Sequence, residues 1–509
     1  MPDAFTPAEA AILEPYVTNV DRPVFALRNL PEEVVAVLFA YYSRSRDSLR
    51  RNLLKLIQDR DLDLAERLVR ASRSAEELAA AQRKAREFHE KWVVGYGHAS
   101  VAEHAVVHLA IEDVSIVASK LIEDARLASF TEKSTRYVVF DRDKFYREPA
   151  ILASPHAARY AETCGRLLET YTRLTEPVVR AIRAERPRAA GQSERGYEAA
   201  CLAQACDVLR YLLPAATLTN IGLTANARTL EHLVTKLLSH PLAEAQEVGA
   251  RIKAEAQAIV PTLIKYAARS PYLADTAPAM QAAAAARLGA AAESHAPGPA
   301  VALVRHPDAA EEELVAAILY GYAGRPWAET REAAAKLSAE EREAVVDEYL
   351  KRRGPHDQPL RALEHLSYTF EILLDFGAYR DLQRHRMATQ TAQEATPAHG
   401  YSTPPELGRY GVLEPYRACM REAEAAFHAI AADLPREAQY VLPLAFRKRV
   451  LFTWNLREIH HVVQLRSSRQ GHAAYRHVAQ QIFRELERVH PLLARYIRVD
   501  LSEYSLARS

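Results

Sequence analysis

The segment RYLLP, Arg210 to Pro214, followed by TANARTLEHLV, Thr224 to Val234, is written twice in this chain. The second version is QYVLP, Gln439 to Pro443, followed by TWNLREIHHVV, Thr453 to Val463, and both pieces sit at an offset of 229 (Arg210 to Gln439, Thr224 to Thr453). Towards the N-terminus, AEHAVVHLAIEDV places Glu103–His104 where LEHLSYTFEILLDF places Glu364–His365, an offset of 261. At the start of each half, VFALRN (Val24 to Asn29) precedes PEEVVAVLFAYYSRS and VALVRH (Val301 to His306) precedes EEELVAAILYGYAGR, which align at 280 (Glu33 to Glu313, Tyr42 to Tyr322). Four matches in one order, with offsets that drift as loop insertions would make them drift, mark a tandem duplication of domain-sized period.

Each copy reads as strand, helices, apolar segment and long helices. The Val24 and Val301 runs and Tyr137 to Phe140 call for a sheet, while helix dominates elsewhere, so the class is α+β and helix-rich: two modules in tandem forming a pseudo-dimer. Residues Arg44 to Glu90, with Leu, Arg and Glu at helical spacing, read as surface helices. Between the copies, an alanine run bracketed by Pro278 and Pro297–Gly298–Pro299 has little to bury and suits a linker. The expected organisation is module 1 over 1–273, a linker over 274–299 with the boundary near Ala296, and module 2 over 300–509.

Hydrophobic residues make up 49% of the 509, charged residues 26%, and the formal net charge is +1. A core is therefore assured, and neither a disordered tail nor a nucleic-acid-coating surface is indicated. Cys164, Cys201, Cys206 and Cys419 form no CxxC pair, which suggests reduced thiols and argues against structural zinc. The N-terminus has acidic residues and prolines where a signal peptide needs a basic start, and no 18-residue uncharged apolar run follows. The expectation is a cytoplasmic protein with no membrane partner.

The chemistry-bearing segments are paired. The first copy has GYGHASVAEH and then a stretch ending in Glu132, Ser134, Arg136 and Tyr137; the second has LEHLSYTF and then Arg384, His385 and Arg386. GHxSxxEH, an Arg-His-Arg triplet and, after seven residues, Ser-x-Arg-Tyr together resemble the signature of the flavin-dependent thymidylate synthases (ThyX). The Asn-x-Arg pieces that open a histidine-bearing helix (Asn226, Arg228, His232; Asn455, Arg457, His461) are similar to that family's late helix. The resemblance implies an enzyme that binds FAD, takes reducing equivalents from NADPH, and moves a carbon from methylenetetrahydrofolate to dUMP or a related pyrimidine nucleotide, giving dTMP. It also implies a homodimer, here of fused pseudo-dimers.

On that resemblance the dUMP-like ligand falls to Glu132, Ser134, Arg136, Arg210, Arg384 and Arg466, with Arg466 facing the uracil as the catalytic residue. FAD falls to His98, Ser100, Arg384, His385, Arg386, Asn455, Arg457 and His461. The residue types suit these tasks: guanidinium forks and a hydroxyl match a phosphate, and a cationic triplet matches a reduced flavin. Neither copy is complete. Counting by the family's spacing, Asp124, Ala125 and Arg126 stand at the triplet of copy one, Glu394, Thr396 and Pro397 stand where copy two should have Ser, Arg and Tyr, and Leu237 and Gln439 replace the remaining arginines. The losses divide by side of the family's intersubunit site, so one site between unlike halves is expected, and a degenerate mirror.

Plainer readings stand beside these. Arg384–Arg386 can be a solvated helix face, Glu132–Arg136 a capping pattern, and Asn226 and Asn455 mere ties between helices. His98, His104 and His108 fit neither HExxH nor HxxEH, so no metal is expected and core or second-layer roles suit them better; His460 and His461 read as helix-face residues. Asp381 stands where the family has a glutamine, and a carboxylate there would repel phosphate. A catalytically silent flavin- or nucleotide-binding descendant, or a purely structural role for the degenerate halves, therefore remains the alternative to an enzyme.

Overall fold

The computed structural model describes residues 5–42, 45–58, 99–289 and 298–503. Gly97, His98 and the boundary near Ala296 lie outside the described residues. Of the described residues 55% are helical, with small sheets, and the chain divides into two compact units that do not follow the repeat. One holds Met1–Val114, Leu121–Glu132 and Thr219–Gly289; the other holds Ser115–Lys120, Lys133–Leu218 and Ala290–Ser509. The second unit thus draws on both copies.

In the first unit, β1 (Val106–Ser115), β3 (Leu218–Asn226) and β2 (Ala128–Glu132) form a sheet in the order β1-β3-β2. β2 runs antiparallel to β3, with Ala128 opposite Ala225 and Glu132 opposite Ile221. Helix Leu49–Gln58 buries Leu53 and Leu54 against Leu13, Tyr16 and Leu38. It is therefore a core helix with one wet face, which corrects the surface reading of that stretch; positions 59–90 lie outside the described residues. Helix Pro271–Leu288, in the expected linker, buries no side chain.

The second unit carries an antiparallel sheet ordered β4-β5-β7-β6, from β4 (Val301–Arg305), β5 (Ser367–Asp375), β6 (Ala388–Ala392) and β7 (Arg447–Asn455). β5 and β7 pair from Ser367 opposite Asn455 to Asp375 opposite Arg447. Alternation explains both strands: Tyr368, Phe370, Ile372 and Leu374 point inward from one, and Lys448, Val450, Phe452 and Trp454 from the other. Trp454 is fully buried and stacks on Phe452 with ring centroids 4.5 Å apart. Helices Ala157–Glu185, Glu194–Leu209, Leu413–Ala431 and Ala473–Val489 belong to the same unit.

The duplication is visible bond by bond. In the second unit Ala215 N donates to Leu442 O at 2.8 Å, and its counterpart Leu444 N donates to Leu213 O at 2.9 Å, so the two LP turns clasp each other around the Pro214–Pro443 bridge. Ile116 N to Thr217 O (3.1 Å) and Phe376 N to Phe446 O (3.0 Å) are another such pair. Asn226 and Asn455 both cap helices, accepting from Thr229 N and Glu458 N at 2.8 Å each. β1 is one residue longer than β5, and Asp113 within it adopts φ 53°, the left-handed conformation that lets a strand absorb an extra residue.

Two expected strands are corrected. Val24–Asn29 forms no strand: it is tied to the segment before it by the isolated bridge Leu27–Val17 and by the bonds Thr18 N to Ala26 O (3.1 Å) and Arg28 N to Tyr16 O (2.9 Å). Tyr137–Phe140 is no strand: Tyr137 N and Val138 N turn back onto Ser134 O at 3.4 and 3.2 Å, leaving Tyr137 exposed and only Phe140 buried. A four-residue apolar run is too short to overrule the turn that precedes it.

Candidate functional site

In the second unit, helix Glu194–Leu209 ends in the sequence Asp207-Val-Leu-Arg210, which sets a carboxylate and a guanidinium one turn apart. Asp207 turns to Arg136 rather than to its neighbour: Arg136 Nε donates to Oδ1 at 2.7 Å and Nη2 to Oδ2 at 2.8 Å, a two-pronged pair. Arg136 Nη1 donates to Tyr475 Oη at 2.7 Å. Burial opposes the Arg136 cation, but Asp207 outweighs it and its pKa rises; the Asp207 carboxyl, against its own desolvation, is held below its usual range. Ser134 Oγ accepts from Arg136 N at 3.2 Å, so Ser134 shapes the turn that presents the arginine.

Arg210 is 1% exposed. Its Nη1 reaches Asp381 Oδ2 at 3.4 Å, while its Nε and Nη2 are buried without an acceptor. Gly377 belongs to this packing, because a Cβ there would lie 3.3 Å from Arg210 Nε and Nη2 and 3.2 Å from Asp375 Oδ1. Asp375 is itself buried and receives Tyr211 Oη at 3.1 Å, Ala378 N at 2.7 Å and Ser402 Oγ at 3.4 Å. Desolvation pushes its carboxyl up, Arg210 pulling the other way.

Copy two supplies the remaining cation. Arg466, the last residue of helix Leu456–Arg466, places Nη1 3.8 Å from Asp381 Oδ1 and donates Nε–H to His385 Nε2 at 2.9 Å. Tyr475 lies between the two arginines, 5.6 Å from Arg136 and 5.3 Å from Arg466, so its ring faces two cations. Asp381 is desolvated, yet Arg210 and Arg466 hold its pKa below the usual range. His385 is pushed well below its ordinary value by burial and by Arg466, and its Nδ1 meets Glu458 Oε1 at 3.1 Å. Burial raises Glu458 to about 6. His472, depressed to about 3 by burial and Arg210, caps helix Ala473–Val489 and donates Nε2–H to Asp207 O at 3.1 Å.

His385, Glu458 and His461 bring candidate ligand atoms within 4.8 Å of one another. Arg466 already takes the Nε2 lone pair of His385, and Nδ1 is spent on Glu458, so hydrogen bonding accounts for the group. A cavity of about 520 Å³ adjoins the cluster through Asp207, Tyr211, Asp375 and His472, with Ser402 and Arg447 on its wall.

Residues 53–262 and 302–492, well over half of the chain, match the family described as thymidylate synthase complementing protein. The chain belongs to that family. Two matched segments in series make it a tandem duplication of the thymidylate synthase complementing fold, α+β and helix-rich. A UPF0159 protein of Chlamydia muridarum is 34% identical over 521 residues, covering 99% of this chain and 97% of that one. A UPF0159 protein of Thermoplasma acidophilum is 30% identical over 480 residues, covering 85% and 92%. The flavin-dependent thymidylate synthase of Sulfurisphaera tokodaii is 32% identical over 143 residues, covering 26% and 56%.

Within the two thymidylate synthase complementing segments, the expected residues fall into groups. Arg136, Arg210, His385 and Arg466 converge through Asp207, Asp381 and Tyr475 in the second unit. Arg384 is exposed beside them and Arg386 half-buried, and the triplet follows helix Phe376–Leu382 in a turn, which corrects its placing on a helix. Arg457 gives Nε–H to Pro359 O at 2.7 Å and Nη1–H to Glu364 at 3.0 Å; His461 packs its ring 5.3 Å from His385. Glu132 and Ser100 lie in the first unit, one buried at the end of β2 and the other exposed in the turn Ala99–Glu103. At the mirror positions Asp124 pairs with Lys236, Leu237 is buried, and Gln439 donates to Arg436 O at 2.8 Å. Of the other histidines, His104 stacks on Phe39 at 4.5 Å, His108 bonds Thr224 Oγ1 at 2.8 Å, and His460 is buried against Arg353. Among the described residues no helix is long and apolar enough to cross a membrane.

Sequence reasoning missed Asp207, Tyr475, Glu458 and His472. A signal existed for two of them: Asp207 stands one turn before Arg210, and Glu458 stands at the third position of a helix capped by Asn455.

Proposed function

We propose that this chain is a flavin-dependent enzyme with one composite site, transferring a carbon unit to the ring of a uracil-type substrate in a thymidylate synthase reaction or a close variant of it. The observation that carries the reading is the convergence of Arg136 and Arg210, kept by copy one, with His385 and Arg466, kept by copy two, inside one compact unit. The relatives named flavin-dependent thymidylate synthases support the cofactor class.

FAD suits the donors present. Arg384 and Arg386 border His385 in the chain and Arg457 stands in the first turn of helix Leu456–Arg466, cations of the type that match a dinucleotide's phosphates and a reduced isoalloxazine; His385 and His461 complete the set. When bound, reduced flavin supplies a hydride, with methylenetetrahydrofolate as carbon donor and NADPH as reductant. Arg466 is the residue for the uracil. Its guanidinium is held from three sides by His385, Asp381 and Tyr475, and a fixed cation stabilises negative charge on a pyrimidine without reorganising. No cysteine takes part: Cys164, Cys201, Cys206 and Cys419 are buried, and burial raises Cys201 and Cys419.

A catalytically silent binder is the second reading, favoured by the carboxylate already seated at Arg136. The two part on measurement. Purified full-length protein should retain a flavin spectrum or regain it with FAD, Arg384→Ala should weaken it, and anaerobic single-turnover product analysis should find the methylated pyrimidine. Flavin without product leaves the silent binder; no flavin affinity ends both. Soluble, cytoplasmic operation and a homodimer of fused chains complete the proposal, the latter open to sedimentation.

A further inference from the structure

We infer that the composite site takes a pyrimidine nucleoside without a 5′-phosphate in preference to the nucleoside monophosphate, an inference that rests on the uracil-directed reading above.

Guanidinium forks recognise phosphate by offering paired N–H groups to two oxygens of a dianion. Arg136 has that fork, and both prongs are spent on Asp207 at 2.7 and 2.8 Å, while its third nitrogen is spent on Tyr475. Asp381 lies between the other two arginines, with Oδ2 towards Arg210 and Oδ1 towards Arg466. Asp375 adds a third carboxylate beside Arg210. Arg136, Arg210 and Arg466 thus face three carboxylates, with Arg384 exposed to solvent beside Asp381, and His385 and His472, both hydrogen-bonded through the two nitrogens of a neutral ring, contribute no charge.

A phosphate dianion entering here would have to displace Asp207 from a buried pair or sit beside Asp381 and Asp375, and like charges at such separations repel strongly in a desolvated setting. A neutral ligand meets neither obstacle. It also meets an unmet need, because Arg210 keeps two buried N–H groups that donate to nothing, and a carbonyl or hydroxyl oxygen satisfies such donors without adding charge. Asp207 is not a loose side chain that a ligand could brush aside, since its backbone carbonyl is tied to His472 and its carboxylate to Arg136.

The test is a comparison of 2′-deoxyuridine with dUMP on the FAD-loaded full chain, by titration calorimetry and by perturbation of the flavin absorbance. Deoxyuridine should bind at least ten-fold more tightly than dUMP, with an affinity insensitive to NaCl. Asp381→Gln removes one carboxylate and should raise dUMP affinity by at least ten-fold, narrowing or reversing the gap between the two ligands; a dUMP affinity unchanged or lowered in this variant counts against the inference. Asp381→Asn serves as a second variant should the glutamine not fold. Tighter binding of dUMP by the unaltered protein, or a failure of both ligands to bind, overturns the inference while flavin binding and product formation still judge the proposed function separately. Protein that takes up no flavin removes the proposed function and this inference together.

Discussion

Arg466 donates its Nε–H to Nε2 of His385 at 2.9 Å. A nitrogen that accepts a hydrogen bond from a cation cannot carry a proton, so the imidazole must hold its hydrogen on Nδ1, where Glu458 Oε1 lies at 3.1 Å. The relay Arg466–His385–Glu458 therefore fixes tautomer, ring orientation and guanidinium position together. We predict that His385 is neutral and Nδ1-protonated at pH 6, its pKa being depressed by burial and by Arg466. Selective ¹⁵N labelling of histidine, with His385→Gln to assign the signal, reads this directly; a doubly protonated His385 at pH 6 would refute the arrangement.

The Arg136–Asp207 pair should be costly to break and cheap to replace. Asp207→Ala leaves a largely buried guanidinium without its carboxylate and should destabilise the protein by about 3–5 kcal/mol. The double change Arg136→Met with Asp207→Leu removes both charges and should recover all but about 2 kcal/mol. Urea denaturation of the three proteins gives the coupling, and equal losses in the single and double variants would show that the pair is not a unit.

Lys448 offers a pH prediction. It is buried on β7, its Nζ 4.6 Å from the Tyr379 ring and 5.3 Å from Phe376, and desolvation lowers its pKa to about 8 from 10.5. Because the folded pKa is depressed, the unfolded chain binds more protons between pH 8 and 10.5, so this residue's contribution to stability rises with pH across that window and is lost as pH falls through about 8. Lys448→Met should stabilise the protein at pH 7 by on the order of 2 kcal/mol, after the lost cation–π contacts are set against the relieved desolvation. The advantage should shrink as pH approaches 10.5; a constant difference between the two proteins across pH 7–10 would contradict it.

Gly377→Ala should destabilise. Alanine favours the helix by about 1 kcal/mol, but its methyl group would press at 3.2–3.3 Å on Asp375 and Arg210, both buried. Overpacking at such a site costs about 1–3 kcal/mol, so a lowered melting temperature is expected. A raised one would mean that the Arg210 guanidinium yields.

The duplication and the strands β5 and β7 were legible in principle because both are local patterns. Alternation of Tyr368, Phe370, Ile372 and Leu374 is written in adjacent letters, and the asparagine caps at Asn226 and Asn455 recur with their helices. Tyr137–Phe140 misled because its apolar letters say nothing about Ser134, whose carbonyl turns the chain before a strand can start. The Arg-His-Arg triplet was recognisable by type, but its turn was not, since no glycine or proline directly follows Leu382 to announce the end of helix Phe376–Leu382.

What the sequence determined by itself was the inventory: two copies, a complementary division of arginines between them, and an aspartate at 381 where a neutral amide was expected. Only the tertiary structure decided how those charges are spent. Arg136 meets Asp207 across 71 positions, Arg210 meets Asp381 across 171, and Arg136 meets Tyr475 across 339. Periodicity and capping act within a few residues and so can be read from a string. Ion pairs depend on separation in space and on how far water is excluded, and the folded chain sets both.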